Sequence, residues 1–361
     1  MISLYSVIFF LSCSCRVDGD AANGDTSGSD TSGDTASNLG PGILRLGPPA
    51  PAVGAYGVAA YPGHDRVYVT NLHVPWITIV DPETGAWSGG IDLRLVGIEK
   101  TNFPRVYLDG ETLWVVNLEM DEVVGFDMET LEPVVPAALA GTVSASRMID
   151  DVLWIATTEG EVLQVEGGDV VARTAVKEAA TALYAEQDLI ALVYQDAQEV
   201  LGYDRSGSVL WEVSIEDPLL EEVVIAEGRT FVAARQSGDV LVIENGEVNR
   251  WVNTGSDTFG LTRHEDLLLV ANRQGAALPE SGSYEGDPGV VTALNFAMEP
   301  VWSVALSKTL HFLAWDGSLW WTVNEDSLVM SAVDPETGTV AIEGPRIGVT
   351  LDHLEERGSQ I

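Results

Sequence analysis

The sequence predicts an all-β protein made of seven similar units, each of four antiparallel strands. Apolar and polar residues alternate along short runs, which is the period of a strand and not of a helix. These runs recur at a spacing of about 37 to 51 residues, the length of one four-stranded repeat. Turn-forming residues separate the runs, and the chain of 361 residues contains 36 Gly and 16 Pro, which disfavours helices.

The stretch from Arg66 to Leu93, RVYVTNLHVPWITIVDPETGAWSGGIDL, shows the repeated pattern most fully. Two alternating runs flank a polar loop, and a tight turn leads into a third run. Aligning the second strand of each unit gives seven matching segments: Val67–Val69, Leu113–Val115, Leu153–Ile155, Ile190–Leu192, Phe231–Ala233, Leu268–Val270 and Leu319–Trp321. A unit of this kind cannot bury its apolar face alone, and closing seven units into a ring solves this. The sequence therefore predicts a seven-bladed β-propeller.

A second landmark is the turn after the third strand of a blade. DPETG begins at Asp81 and occurs again at Asp334, with looser versions at Asp127 and Asp204. Proline at the second position is typical of a type I turn, and the final glycine can adopt the left-handed conformation. Both copies fall at the same place in the blade, which supports the alignment.

The alignment also fixes the predicted boundaries. The blades are expected at 55–95, 102–140, 143–177, 180–216, 219–254, 257–306 and 309–347. The whole chain divides into a signal-like segment at 1–15, a tether at 16–42, the propeller at 43–350 and a tail at 351–361. Ile43–Leu46 is a spare extended segment that is expected to fasten the ring, and 276–288 is an insertion in the sixth blade that is either functional or an idle surface loop.

The N-terminus has the pattern of an export signal. Ile2–Leu11 is an apolar run too short to span a bilayer, and it is followed by Cys13 and Cys15, each preceded by serine. This arrangement resembles a bacterial lipoprotein signal, in which such a cysteine is lipidated; a buried strand is the alternative interpretation. Asp18–Asn38 contains five Asp and no Lys or Arg, so it is expected to be a disordered tether.

Composition excludes several classes of function. Lys and Arg number 18 against 55 Asp and Glu, a formal charge of −37 that repels nucleic acid and anionic lipid headgroups. Both cysteines lie at the N-terminus, so the body has no disulfide and no thiolate metal site. The five histidines show no HxH or HxxxH spacing. We therefore expect no metal and no cofactor, and membrane contact only through a lipid anchor.

The first blade carries a family resemblance. Its RVYVTN…WITIVDPETG resembles the YVTN-type repeat of bacterial seven-bladed propellers, with Asn71, Asn117 and Asn324 at the asparagine of the repeat. Tyr203–Val213 and Leu294–Val304 resemble the outer-strand repeat of quinoprotein-like propellers. Together these resemblances cover about 55–347 and imply the fold. Similar propellers include surface-layer proteins, lactonases and cofactor-bearing dehydrogenases, so the fold does not determine the activity.

In such propellers the first strand of each blade lines a central channel, and ligands usually bind where the loops between blades and between second and third strands meet. That register indicates polar candidates at this face: Arg105, Arg147, Glu222, His311, Asn71, His73, Asn117, Arg235, Asn272, Arg273 and Asn324. Arg–Gln recurs at Arg235 and Arg273 in adjacent blades, which would attract an anion on a chain that otherwise avoids positive charge. The alternative is that these residues pair with acids or cap loop backbone.

Two functions remain from the sequence. The first is a surface-tethered, extracytoplasmic binding or scaffold module, lipid-anchored or secreted, monomeric and without catalysis, whose partner is a small anionic ligand or a protein. The second is an enzyme such as a lactone hydrolase, with Glu222 or His311 as the base. GxSxG, HExxH and P-loop patterns are absent from the sequence, and this favours the first.

Overall fold

A computed structural model of the chain describes residues 55–72, 74–83, 87–118, 122–128, 130, 132–134, 139, 141–217, 219–274, 288–306, 310–324 and 329–346. The predicted signal segment with Cys13 and Cys15, the tether, the spare strand, most of the insertion, His73 and the tail lie outside the described residues. None of the helices in the described part is long and apolar enough to cross a membrane.

The described residues form seven antiparallel sheets of four strands each. The first blade contains β1 Ala55–Ala59, β2 Val67–Asn71, β3 Trp76–Val80 and β4 Trp87–Asp92, followed by a short 3-10 helix, Leu93–Val96. The second contains β5 Arg105–Leu108, β6 Thr112–Asn117, β7 Glu122–Asp127 and β8 Pro133–Val134. The third contains β9 Val143–Ile149, β10 Val152–Thr157, β11 Glu161–Glu166 and β12 Asp169–Ala175.

The remaining four blades repeat this order. The fourth contains β13 Ala182–Glu186, β14 Leu189–Tyr194, β15 Glu199–Tyr203 and β16 Val209–Ser214. The fifth contains β17 Leu220–Ala226, β18 Arg229–Ala234, β19 Asp239–Glu244 and β20 Glu247–Asn253. The sixth contains β21 Ser256–His264, β22 Leu267–Gln274, β23 Val290–Asn295 and β24 Pro300–Ala305. The seventh contains β25 Leu310–Trp315, β26 Trp320–Asn324, β27 Val329–Val333 and β28 Val340–Arg346.

The predicted fold class is confirmed, because seven blades of four strands follow one another without exchange of strands. Six of the seven aligned segments lie wholly within the second strand of their blade, and in the seventh blade that strand begins at Trp320, one residue after Leu319. The sixth blade begins one residue earlier than predicted, at Ser256. The second DPETG turn has the expected geometry: the carboxylate of Asp334 accepts from the amides of Glu336 and Thr337, and Gly338 has φ 66°. The final glycine of the first copy lies outside the described residues.

The ring is held together by apolar cores between blades. The first strands of neighbouring blades contact each other in sequence, and β25 contacts β1 to close the circle. A buried cluster lies at every interface; Phe126 packs with Tyr68 between the first two blades, and Trp321 packs with Val69 where the seventh meets the first. Burying a large apolar side chain stabilises the fold by about 1.5–3 kcal/mol, so the seven interfaces account for most of the driving force.

Two buried tryptophans, Trp114 and Trp321, each donate a hydrogen bond to an aspartate in the turn that precedes them. The Asp109 carboxylate accepts from the Thr112 amide and, at 2.9 Å, from the indole Nε1 of Trp114. Asp316 does the same for the Leu319 amide and, at 2.6 Å, for Trp321. An aspartate in the turn between the first and second strands thus accepts hydrogen bonds from a backbone amide of the turn and from a buried indole N–H five residues later.

We expect Asp316→Ala to lower the free energy of unfolding by about 1–3 kcal/mol, because it leaves a buried indole N–H without its acceptor. Urea denaturation followed by tryptophan fluorescence measures the change. The matched control is Asp188→Ala, since Asp188 is an exposed carboxylate in the equivalent turn of the fourth blade. Equal losses in the two variants would contradict the role assigned to the indole hydrogen bond.

Candidate functional site

Five of the seven first strands contain a β-bulge near their start. The pairing register of β17 shifts between Leu220 and Val223, and that of β25 shifts between Leu310 and Leu313. β1, β9 and β21 shift at the same level. A bulge adds an unpaired residue and re-aims the side chains around it. The bulged segments carry the polar and aromatic residues of the channel: Tyr56, Glu221, Glu222, Phe259, His311 and Phe312.

The centre of the channel is a carboxylate shared by two arginines. Glu222 accepts from Nη1 of Arg105 and Nη1 of Arg147, each at 2.6 Å, through its two oxygens. Arg147 also donates from Nη2 to the backbone oxygen of Leu261 at 2.9 Å. The guanidinium of Arg105 lies 4.2 Å from the centre of the Phe312 ring. Side chains or backbone from five blades therefore meet at this cluster.

The cluster is almost dry. Glu222 is 3% exposed, and the side chains of Arg105 and Arg147 are 12% and 13% exposed. Burial by itself would lower the pKa of Arg105, but the facing carboxylate of Glu222 outweighs this and holds the pKa above its usual value. Removing charges from water is costly, and such a group is stable only while each charge keeps its partner. One carboxylate between two guanidinium groups leaves one positive charge unmatched.

A second cluster lies beside the first and contains the other two predicted arginines. Arg235 donates to Glu221 at 2.8 Å and forms a short contact with Asp257. Arg273 lies 3.9 Å from the same Asp257. Burial raises the pKa of Glu221, and the hydrogen bond from Arg235 opposes that shift. Pairing with acids was the alternative interpretation of the repeated Arg–Gln sequence at Arg235 and Arg273, and these contacts are pairs of that kind.

His311 lies inside an aromatic group and is not among the described residues that line the channel cavity. It is 1% exposed, and its ring centre lies 4.8 Å from those of both Tyr56 and Phe259. Phe259 in turn lies 5.4 Å from the charged end of Arg235 and 5.2 Å from that of Arg273. The aromatic group thus separates the second cluster from the first.

The predicted asparagines form hydrogen bonds with neighbouring loops and strands. Asn71 donates to the backbone oxygen of Trp76 at 2.6 Å. Asn117 donates to the backbone of Lys100 and accepts from the amide of Asn102 at 2.6 Å. Asn272 donates to Thr258 at 2.8 Å, and Asn324 is 1% exposed. Asn117 thus holds the connection between the first and second blades, whereas Asn71 and Asn272 form these bonds within their own blades.

A cavity of about 530 Å³ occupies the channel on the other side of the Glu222 cluster. Arg105, Arg147 and Phe312 form its inner end. Its opening is lined by residues at the turns between first and second strands, including Tyr61 and Asp151. The cavity therefore opens on the face opposite to the one that the family resemblance indicates, and Arg235, Arg273 and His311 are not among the described residues that line it.

Gly260 allows the first strands of the sixth and seventh blades to approach each other closely at the inner end of the cavity. A Cβ on Gly260 would lie 2.3 Å from the backbone oxygen of His311, so a side chain there would push the sixth and seventh blades apart. The inner end of the cavity depends on this close approach, because Gly260 lines it beside Phe312.

The structure adds residues that sequence reasoning missed. Asp257, Glu221, Tyr56 and Phe312 complete the two clusters, and none follows from a motif. The adjacent acids Glu221 and Glu222 at the start of a first strand were a usable signal, because two successive residues of a strand normally point to opposite faces. No group of three or more His, Cys, Asp or Glu among the described residues could hold a metal ion.

Comparison with known proteins finds similarity of fold. No family model matches the sequence, and no curated protein matches it. The structure is similar to that of Saccharomyces cerevisiae Sqt1, with 10% identity, a TM-score of 0.55 and coverage of 83% of this chain and 87% of that chain. It is similar to BamB from Moraxella catarrhalis, with 15% identity, a TM-score of 0.50 and coverage of 75% and 80%. It is also similar to the dihydro-heme d1 dehydrogenase NirN in complex with DHE, with 15% identity, a TM-score of 0.54 and coverage of 82% and 67%.

We expect Glu222→Leu to destabilise the protein by about 3–5 kcal/mol, because it leaves two buried guanidinium groups without a counter-charge. Replacing all three charges together, with Arg105→Met and Arg147→Met added, should restore most of the loss. Chemical denaturation measures both variants. Glu161→Leu is the control: it removes a carboxylate whose pair with Arg173 at 3.0 Å is exposed, and it should cost about 0–1 kcal/mol. A triple variant as unstable as the single one would contradict this account.

Proposed function

We propose that this protein is a non-catalytic binding module that holds a small organic acid in its central channel. The observation that carries the proposal is the unmatched positive charge at the inner end of the cavity. In the first cluster two guanidinium groups face one carboxylate, that of Glu222. The two arginines that share one carboxylate both line the cavity, and the third arginine of the lining, Arg263, is paired with Glu186 at 2.7 Å.

The chemistry of the inner end is suited to a carboxylate. The Nε of Arg105 is buried and donates to no acceptor among the described residues. A guanidinium presents parallel donors that match the two oxygens of a carboxylate, and a charge-assisted hydrogen bond contributes about 1.5–3 kcal/mol. A cavity of about 530 Å³ is within the range of small-ligand sites, and Phe312 and Tyr184 supply apolar walls.

The same geometry supports binding over lactone hydrolysis. A general base needs an oxygen that can take a proton from water, but both oxygens of Glu222 already accept from guanidinium groups. His311, the other candidate base, is packed between Tyr56 and Phe259 and does not line the cavity. The fold itself suits either function.

The proposal includes a location outside the cytoplasm, which rests on the sequence. A lipidated Cys13 or Cys15 and an acidic tether would hold the propeller off a membrane whose headgroups repel a chain of charge −37. The resemblance to YVTN-type propellers supports the same location, and the structural similarities add only the fold.

The binding proposal predicts a stabilising ligand among small carboxylic acids, amino acids and short peptides. Each is compared with its carboxamide in a thermal-shift screen. A ligand should raise the melting temperature more than its amide does, and Arg147→Met should remove the shift by weakening binding about tenfold or more. Arg147→Met removes the unmatched charge and leaves Glu222 paired with Arg105, so this variant is expected to fold.

Arg235→Met is the comparison variant. If the ligand acts in the cavity, its shift survives in Arg235→Met, because that residue lies with Glu221 and Asp257 outside the cavity lining. A shift lost in Arg235→Met but kept in Arg147→Met would move the site to the face that the sequence indicated. The absence of any carboxylate-dependent shift would refute the proposed function.

Lipid anchoring is tested independently of binding. We expect the protein to incorporate radiolabelled palmitate when it is expressed in a bacterial host, because one of two serine-preceded cysteines follows an export-like apolar run. The Cys13→Ala, Cys15→Ala double variant should lose the label and appear in the soluble fraction, and each single variant is the control. Label that persists in the double variant would place the anchor elsewhere.

A further inference from the structure

Acidic residues occupy the turns at the end of the channel where the cavity opens, and two of them, Asp150 and Asp151, line the cavity. Every turn between the first and second strand of a blade carries at least one carboxylate: Asp65, Asp109, Asp150 with Asp151, Asp188, Glu227, Glu265 with Asp266, and Asp316. These seven turns lie at the same end of the channel, because each follows the first strand of its blade. The cavity therefore has two carboxylates at its opening, where the remaining charged group of the lining, Arg263, is already paired with Glu186 at 2.7 Å, and it has a cationic inner end.

Some of these acids have a structural role and others do not. Asp109 and Asp316 each accept from turn amides and from a buried indole. Asp150 and Asp151 line the cavity opening, and their carboxylates accept no hydrogen bond from the described residues. Burial raises the pKa of Asp151, and repulsion from the nearby carboxylates of Asp109 and Asp150 raises it further. A cation placed between them would relieve that repulsion.

The two ends of the cavity set opposite requirements for a ligand. A simple anion must pass carboxylates before it reaches Arg105 and Arg147, and like charges at an entrance slow association. A simple cation meets the arginines at the inner end. A molecule with a negative group at one end and a positive group at the other is favoured at both.

The depth of the cavity sets the length of such a molecule. Arg147 lies in β9, and Asp150 is the first residue of the turn after it, so their separation of three residues corresponds to at most about 10 Å along the chain. Three residues of extended peptide span about the same distance between their terminal amine and carboxylate. The first strand of each blade is an edge strand of its sheet. Arg147 already donates to a carbonyl oxygen of one such strand, that of Leu261 in β21. The walls of the cavity can therefore pair with a peptide backbone.

We propose that the ligand is an amphoteric molecule of about the length of a tripeptide. Its carboxylate lies on Arg105 and Arg147, its ammonium group lies between Asp150 and Asp151, and its body packs against Tyr184 and Phe312. This inference rests on the proposed function and adds three properties of the ligand: its positive charge, its length and the direction in which it enters the cavity.

Isothermal titration calorimetry with three forms of one peptide tests the inference. The probes are Gly-Phe-Gly, the same peptide acetylated at its amine, and the same peptide with a C-terminal amide. The free peptide should bind about tenfold more tightly than either blocked form, because each block removes one charge-assisted contact. In Asp150→Asn, Asp151→Asn the free peptide should lose this advantage over the acetylated one. Both positions have positive φ, which asparagine tolerates, so the variant is expected to fold.

The control variant is Asp188→Asn, which removes an acid of the same set of turns that does not line the cavity. It should leave the advantage of the free peptide intact. If the acetylated peptide binds as tightly as the free one, the ammonium contact is wrong, while the proposal of an anion site stands. If neither form binds but small organic acids shift the melting temperature in an Arg147-dependent way, the amphoteric ligand is refuted and the anion site again stands. If no carboxylate binds at all, both fail.

Discussion

The channel of this propeller depends on one carboxylate, Glu222, that two buried arginines share. Arg105 and Arg147 come from the second and third blades and Glu222 from the fifth, so the contact crosses the axis of the ring. It fixes the inner end of the cavity and leaves a positive charge there. Because the group is almost fully buried, that charge is little screened by water and acts strongly on whatever enters.

Acidic and basic residues are distributed differently at the two ends of the channel. With 18 basic residues against 55 acidic ones, an arginine at a buried position is exceptional. Arg105 and Arg147 converge on one carboxylate near the axis, while the turns at the opening carry acids in every blade. The channel is therefore polarised along its length, and under the proposed function this polarity would select ligands by the order of their charges as well as by their size.

The fold could be predicted from the sequence because its information is local and repeated. Alternation, turn residues and seven aligned second strands each report on neighbours in the chain, and the blades match the expected ranges within a few residues. The site could be predicted only in part. The sequence named Arg105, Arg147 and Glu222, but Glu222 meets Arg105 across 117 positions, and no local pattern encodes such a pairing. The bulges that turn Glu222 and Phe312 toward the axis are also unmarked, because a one-residue shift in pairing leaves alternation intact elsewhere.

A channel that served only to close the ring would not need these charges. The interfaces between blades are apolar and contain large, fully buried residues such as Trp321 and Phe126, so the ring already has cores at all its contacts. Replacing a buried charged group by apolar residues of similar size is often neutral or stabilising. The Glu222 cluster is therefore poorly explained as a source of stability. It is better explained as a preorganised binding surface, in which the carboxylate holds both guanidinium groups in place and leaves one charge for a ligand to match.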